Sequence, residues 1–67
     1  MSMTRYESDV KFYLNCGYMV YLETLEFDYR RITARNRTTE ITRTYDENGE
    51  LVGTYKQYLL VRNSTVY

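Results

Sequence analysis

The chain contains no histidine and only one cysteine, Cys16. A hydrolase triad normally uses histidine as the base beside its nucleophile, so that chemistry is excluded. A zinc site needs several nitrogen or sulfur ligands, and an intrachain disulfide needs a second cysteine. We therefore expect no catalytic residues, no metal site and no cofactor, and we interpret Cys16 as an unreactive thiol beside a turn.

Net charge and long apolar runs are also absent. Nine basic residues balance nine acidic ones, and no apolar run approaches the length of a membrane span, about 20 residues. Zero net charge argues against a general binder of polyanions. The first residues lack the apolar stretch of a secretory signal, and a lone thiol fits a reducing compartment. We expect a cytoplasmic protein without membrane contact.

The length of 67 residues predicts a single small domain, residues 1–67. A domain of this size buries only about 60% of the surface that its unfolded chain exposes, so its stability is marginal. Disulfides and metals are excluded as sources of extra stability, which leaves a partner chain. A homodimer is the simplest version of that expectation, because two-fold dimers are the commonest oligomers.

The composition favours strands. There are nine tyrosines and nine threonines, but one alanine, two lysines and no proline. We predict an all-β fold, a small antiparallel meander of about five strands that forms a curled sheet or small barrel. The strands are expected near 5–14, 18–24, 25–34, 38–46 and 50–62. The alternative is an α+β fold with a central helix near 18–34, where six apolar residues share one helical stripe.

Four signals separate these strands, and the weakest is a turn candidate at Arg35-Asn36-Arg37, because asparagine tolerates the left-handed backbone region. Asn15-Cys16-Gly17 predicts a three-residue hairpin loop. The alternation of apolar residues slips by one step near Glu23-Thr24, which predicts a bulge or tight turn there. Asn48-Gly49 is the strongest hairpin signal in the chain.

For the last hairpin we predict a three-residue loop in which Asp46 pairs with Glu50. The same register then pairs Tyr45 with Leu51, Ile41 with Tyr55 and Glu40 with Lys56. The last of these is a favourable cross-strand ion pair. Gly53, inside the final strand, is a candidate bulge position.

Positive charge is concentrated in residues 30–44, which carry five arginines against one acidic residue, Glu40: Arg30, Arg31, Arg35, Arg37 and Arg43. Arginine suits bidentate contacts with carboxylates and phosphates and stacks on aromatic rings. These arginines could neutralise the acidic residues that precede them, bind a protein partner, or bind single-stranded nucleic acid together with tyrosines. All three interpretations stay open on the sequence.

Tyrosine and arginine are enriched at protein interfaces, and a small chain without catalytic groups fits such a role. We predict a non-catalytic protein-binding module: a small inhibitor, assembly factor or accessory protein, a type common in phages and mobile elements. The alternative is a small single-stranded nucleic-acid-binding protein that uses Arg30 to Arg43. The expected partner-binding residues are Arg31, Arg35, Arg37, Arg43, Tyr21 and Tyr58.

Overall fold

A computed structural model describes residues 2–59 of the chain. Its elements are helix α1 (Arg5–Asn15) and strands β1 (Met19–Thr24), β2 (Arg30–Arg35), β3 (Thr39–Tyr45) and β4 (Leu51–Tyr58). Each strand pairs in antiparallel fashion with the next one along the chain, so the sheet order is β1-β2-β3-β4. The helix packs on one face of this sheet.

The predicted antiparallel meander is confirmed over four strands. The segment 5–14, predicted as the first strand, is instead helix α1. A helix beside the sheet agrees with the α+β alternative, but residues 18–34, where that alternative placed it, hold strands β1 and β2. The predicted continuation of the last strand to residue 62 lies outside the described residues.

Helix α1 forms because its first turn is capped and one of its faces is apolar. The hydroxyl of Thr4 accepts a hydrogen bond from the backbone N–H of Glu7 at 3.2 Å, and the Glu7 carboxylate accepts one from the Thr4 N–H at 3.1 Å. This reciprocal capping box satisfies donors that a helix start leaves free. Tyr6, Val10 and Tyr13, spaced by four and three residues, face the sheet.

The helix ends in a Schellman motif, which replaces the predicted hairpin loop at Asn15-Cys16-Gly17. Gly17 adopts a positive φ of 85° and donates its N–H to the carbonyl of Leu14. The N–H of Tyr18 reaches back to the carbonyl of Tyr13, and the two rings meet edge to face at 5.3 Å. Gly17 therefore marks a helix end and not a strand-to-strand turn.

The turn between β1 and β2 explains the slip in apolar alternation, although it lies slightly later than Glu23-Thr24. Phe27 and Asp28 both have positive φ, 60° and 61°, as in a type I′ turn. The N–H of Tyr29 donates to the carbonyl of Glu26 across this turn at 3.2 Å. Residues other than glycine, asparagine and aspartate are disfavoured at positive φ, so the backbone at Phe27 is strained.

The loop of the last hairpin is confirmed. The N–H of Asp46 donates to the carbonyl of Glu50 at 2.9 Å, and Tyr45 lies opposite Leu51. The Asn48-Gly49 signal therefore identified both the turn and its loop length.

The rest of the predicted register is wrong. Gly53 lies opposite Thr44, while Leu51 lies opposite Tyr45, so Val52 between them is the extra residue of a β-bulge. The bulge moves every later pair by one position: Ile41 faces Lys56 and Glu40 faces Gln57. Tyr55 is thereby placed on the face of the sheet opposite Ile41.

The core lies between the helix and the two central strands. Its buried apolar residues are Tyr13, Ile32, Ala34 and Tyr45, and six partly buried residues surround them: Tyr6, Val10, Tyr18, Val20, Ile41 and Leu51. The start of the helix is held against the last hairpin, since the Tyr6 N–H donates to the carbonyl of Gly49 at 3.0 Å. A Cβ on Gly49 would lie 2.7 Å from the Cβ of Thr4, so only glycine fits this contact.

We predict that Phe27→Asn raises the free energy of unfolding by about 1 kcal/mol, because asparagine tolerates the left-handed backbone that strains phenylalanine. Urea titration followed by circular dichroism measures the change. Phe12→Asn is the control, since Phe12 is exposed in ordinary helical backbone, where asparagine is a poorer helix former. A loss of stability in Phe27→Asn equal to that in Phe12→Asn would contradict the strain at Phe27.

Candidate functional site

The sheet has one face packed on the helix and a second face that no described element covers. Strand side chains alternate between the faces, and residues paired across strands share a face. The uncovered surface, called the open face below, consists of Met19, Tyr21, Glu23, Arg31, Thr33, Arg35, Glu40, Thr42, Thr44, Gly53, Tyr55 and Gln57.

A row of hydroxyl-bearing side chains crosses the middle of the open face. Tyr21 pairs with Thr33, Thr33 with Thr42, and Thr42 with Tyr55. Three strand spacings separate the two tyrosines, about 14 Å. Their exposed fractions are 52% for Tyr21 and 64% for Tyr55. The row therefore presents two aromatic rings with a shallow, polar threonine floor between them.

The charges of the open face largely compensate one another. Arg31 donates from Nε and Nη2 to one oxygen of Glu23 at 3.1 and 2.7 Å. Glu40 accepts a hydrogen bond from Gln57 at 2.7 Å and faces Arg35 across the β2–β3 pair. Two arginines thus balance two glutamates, and the face has a mixed polar and aromatic character without net charge.

Three of the predicted partner-binding residues lie on the open face: Tyr21, Arg31 and Arg35. Arg37 lies in the turn between β2 and β3, beside Arg35. Three of the six predicted residues, Tyr21, Arg35 and Arg37, therefore line one shallow groove, and Arg31 lies on the same face as the first two. The structure also adds Tyr55, which the predicted register placed on the other face because that register did not include the bulge suspected at Gly53 and found at Val52.

The other two predicted residues, Arg43 and Tyr58, lie on the helix side. Tyr58 is exposed there, with the ammonium of Lys56 at 5.3 Å from its ring centroid. Arg43 is half-buried, with its guanidinium 5.7 Å from the ring centroid of Tyr13. Arg43 therefore does not share a surface with Arg31 and Arg35.

Arg43 belongs to a buried polar cluster centred on Asp9, which is only 7% exposed. The Asp9 carboxylate accepts hydrogen bonds from the Tyr45 hydroxyl at 2.5 Å and from Arg43 Nη1 at 2.9 Å. Arg5, one helical turn earlier, donates from Nε to both carboxylate oxygens at 3.1 and 3.2 Å. One helix residue therefore binds two residues of strand β3.

The pKa of Asp9 reflects this environment. Burial alone would raise it, but the hydrogen bonds from Tyr45, Arg43 and Arg5 outweigh that effect, and the pKa of Asp9 falls below its ordinary value. Burial and the bond to Asp9 together raise the pKa of Tyr45. Asp9 is thus held as a carboxylate and Tyr45 as a neutral phenol, which are fixed roles in a structural contact.

The sequence gives a signal for this cluster, but only through the helix. Thr4 and Glu7 form a capping box three residues apart, and the spacing of Tyr6, Val10 and Tyr13 predicts an inward face that also contains Asp9. Interpreting residues 5–14 as a strand hid that face. The contact with Arg43 additionally requires the register of β3 and cannot be seen from local sequence.

Within residues 2–59 no three potential metal ligands come together, and the Cys16 thiol is exposed at the end of the helix. Nor does any helix within it have the length and apolar character needed to span a bilayer.

Comparison of the chain with protein-family models, with curated proteins and with solved structures gives no match.

We predict that Asp9→Asn lowers the free energy of unfolding by about 2 kcal/mol, because it removes the charge shared by buried Tyr45, half-buried Arg43 and exposed Arg5. Urea titration at neutral pH measures the loss. Glu47→Gln, at an exposed turn, is the matched control and is expected to change stability by less than about 0.5 kcal/mol. Equal effects of the two substitutions would show that the Asp9 cluster does not hold the helix to the sheet.

The contribution of the Asp9 carboxylate to stability depends on pH, and its direction follows from the lowered pKa of Asp9. The pKa of Asp9 is lower in the folded state, so its contribution is fully present above its ordinary pKa of 3.8 and is lost as the pH falls through the lowered value. The difference in stability between the wild-type chain and Asp9→Asn should therefore shrink between pH 7 and pH 3. A difference that stays constant across this range would contradict the assignment.

Proposed function

We propose that the chain is a non-catalytic protein-binding module that binds a partner protein on its open face. One observation supports this most: Tyr21 and Tyr55 stand exposed on a sheet face that no described element covers. Large exposed aromatic residues on a regular scaffold are characteristic of interaction surfaces.

The chemistry of the two tyrosines suits protein recognition. A tyrosine offers a large apolar ring with one polar end, and it loses little side-chain entropy on binding. Both residues project from hydrogen-bonded strands, so their backbones are fixed before a partner arrives. Thr33 and Thr42 between them provide hydroxyl groups that can donate or accept. The expected partner surface is flat, partly apolar and hydrogen-bonding.

The compensated charges of the open face favour a protein over a nucleic acid. Phosphate binding requires arginines that are available for ion pairs, and affinity grows with their number. Arg31 is already paired with Glu23, and Arg43 with Asp9. Arg30 stacks on the ring of Tyr6 at 4.8 Å from its centroid. Three of the five arginines in residues 30–44 thus have partners inside the molecule, which supports the protein-binding proposal.

The test compares two exposed tyrosines of the same strand. We expect Tyr55→Ser, on the open face, to reduce binding of the partner at least tenfold, because it removes one of two aromatic anchors. Tyr58→Ser, on the helix side of β4, is the matched control and should retain binding. The measurement is the amount of each protein from the source cells that immobilised wild-type and variant chains retain.

Two results would contradict the proposal. The first is equal retention by the Tyr55→Ser and Tyr58→Ser chains, which would show that the open face is not used. The second is an increase in the light-scattering mass of the chain when a mixed-sequence single-stranded oligonucleotide is added, if added salt then reverses that increase. Counterion release makes phosphate binding salt-sensitive, so that result would favour the nucleic-acid alternative.

A further inference from the structure

The two ends of the sheet carry opposite charge. In a meander, the β1–β2 turn and the β3–β4 turn lie at one end, and the β2–β3 turn lies at the other. Residues 25–29 and 46–50 at the first end include five acidic and no basic residues: Glu26, Asp28, Asp46, Glu47 and Glu50. The second end carries Arg35 and Arg37. The two turns at the first end are therefore acidic and the turn at the second end is basic. Arg30 and Arg31 begin β2 beside the first end, where Arg30 stacks on Tyr6 and Arg31 pairs with Glu23, and Glu40 lies opposite Arg35 at the second.

An apolar side chain projects from the acidic end. Phe27 is 85% exposed, the largest exposed fraction among the apolar side chains of residues 2–59. It occupies a strained backbone with φ of 60° and is flanked by Glu26 and Asp28. Phe27 does not belong to the core. We call Phe27 with its two acidic neighbours the knob.

A shallow groove lies at the basic end. It is lined by Gly17, Met19, Tyr21, Arg35, Asn36 and Arg37. Met19 and Tyr21 give it an exposed apolar floor. Neither arginine forms a salt bridge with any other residue in 2–59. Arg35 lies opposite Glu40, whose carboxylate is hydrogen-bonded to Gln57, so both guanidinium groups can still pair with an acidic ligand. The groove thus combines the two features that a phenylalanine between carboxylates requires.

We propose that this chain binds a second copy of itself head to tail, with the knob of one copy in the groove of the next. The ring of Phe27 would contact Met19 and Tyr21, and the carboxylates of Glu26 and Asp28 would pair with Arg35 and Arg37. The pair keeps a free groove on one copy and a free knob on the other, so the contact repeats. Such heterologous contacts produce closed rings or open filaments, in contrast to a two-fold dimer.

This proposal goes beyond the proposed function and does not depend on it. Phe27 lies in a turn outside the open face, and the matched pair Tyr55 and Tyr58 lies outside the groove. Tyr21 and Arg35 belong to both surfaces. Failure of one proposal is therefore distinguishable from failure of the other, through Phe27 for self-association and through Tyr55 for partner binding.

The first experiment measures the light-scattering mass of the full chain over a range of concentrations up to millimolar. We expect the average mass to rise from one chain, 8.1 kDa, through successive multiples as the concentration increases. Added salt should reverse the rise, because the Debye length falls from about 10 Å at 0.1 M to about 3 Å at 1 M. A chain that stays monomeric at every concentration overturns the proposal, whatever else occupies the groove.

The second experiment separates head-to-tail contacts from symmetric ones by complementation. Phe27→Asn removes the knob and keeps the groove, whereas Arg35→Glu with Arg37→Glu removes the groove and keeps the knob. Each variant alone should stay monomeric. An equal mixture should form a species of two chains and no larger one, because only one knob and one groove remain between them. A mixture that stays monomeric overturns the proposal, as does a symmetric dimer formed by either variant alone.

Control variants test whether unfolding or net charge alone explains a loss of self-association. Phe27→Leu keeps an apolar side chain in the same strained backbone and should retain association. Phe27→Asn should lose association while its melting temperature is no lower than that of the wild-type chain, so unfolding cannot explain the loss. Lys11→Glu with Lys56→Glu changes the net charge as much as the arginine pair does, away from the groove, and should still associate. Loss of association in this lysine variant would mean that net charge alone controls the assembly.

Discussion

The carboxylate of Asp9 joins helix α1 to strand β3, and much of the structure depends on that contact. An isolated helix of 11 residues is not stable in water. Among residues 2–59, the buried apolar side chains are one from the helix, Tyr13, and three from the sheet, Ile32, Ala34 and Tyr45. Asp9 adds hydrogen bonds to Tyr45 and Arg43, both on the same strand, and these fix the position of the helix over the central strands. Arg5 supplies the further donors that keep the carboxylate charged, so the desolvation cost of burying it is offset.

Helix α1 covers one side of the sheet, and no other element within residues 2–59 covers the other side. A sheet face in contact with water must carry side chains that tolerate it, and tyrosine, threonine, arginine and glutamate meet that requirement. The same side chains form binding surfaces. Its two exposed tyrosines, Tyr21 and Tyr55, are what distinguish the open face from an ordinary solvated face.

The parts of the fold that local chemistry determines could be predicted from the sequence. Asn48-Gly49 identified the last hairpin and its loop because a glycine with positive φ leaves few alternatives. Helix α1 was missed because its inward residues include Tyr6 and Tyr13, which are strand formers. The bulge was suspected at Gly53 but lies at Val52, and the predicted register did not include it. One extra residue shifts every later pair between β3 and β4. Tyr55 was therefore assigned to the wrong face, and the contact of Arg43 with Asp9, 34 residues apart, stayed hidden.

The two proposed surfaces constrain each other because Tyr21 and Arg35 belong to both. A copy whose groove holds the knob of a neighbour has these side chains covered, so a partner on the open face must displace that neighbour. Mass action then links the two events: a partner that binds only the free groove shortens the assembly, and a longer assembly weakens the apparent affinity for the partner. The strain at Phe27 fits this arrangement. It affects a single exposed residue that the core does not use, so a sequence selected for stability alone would not retain phenylalanine there.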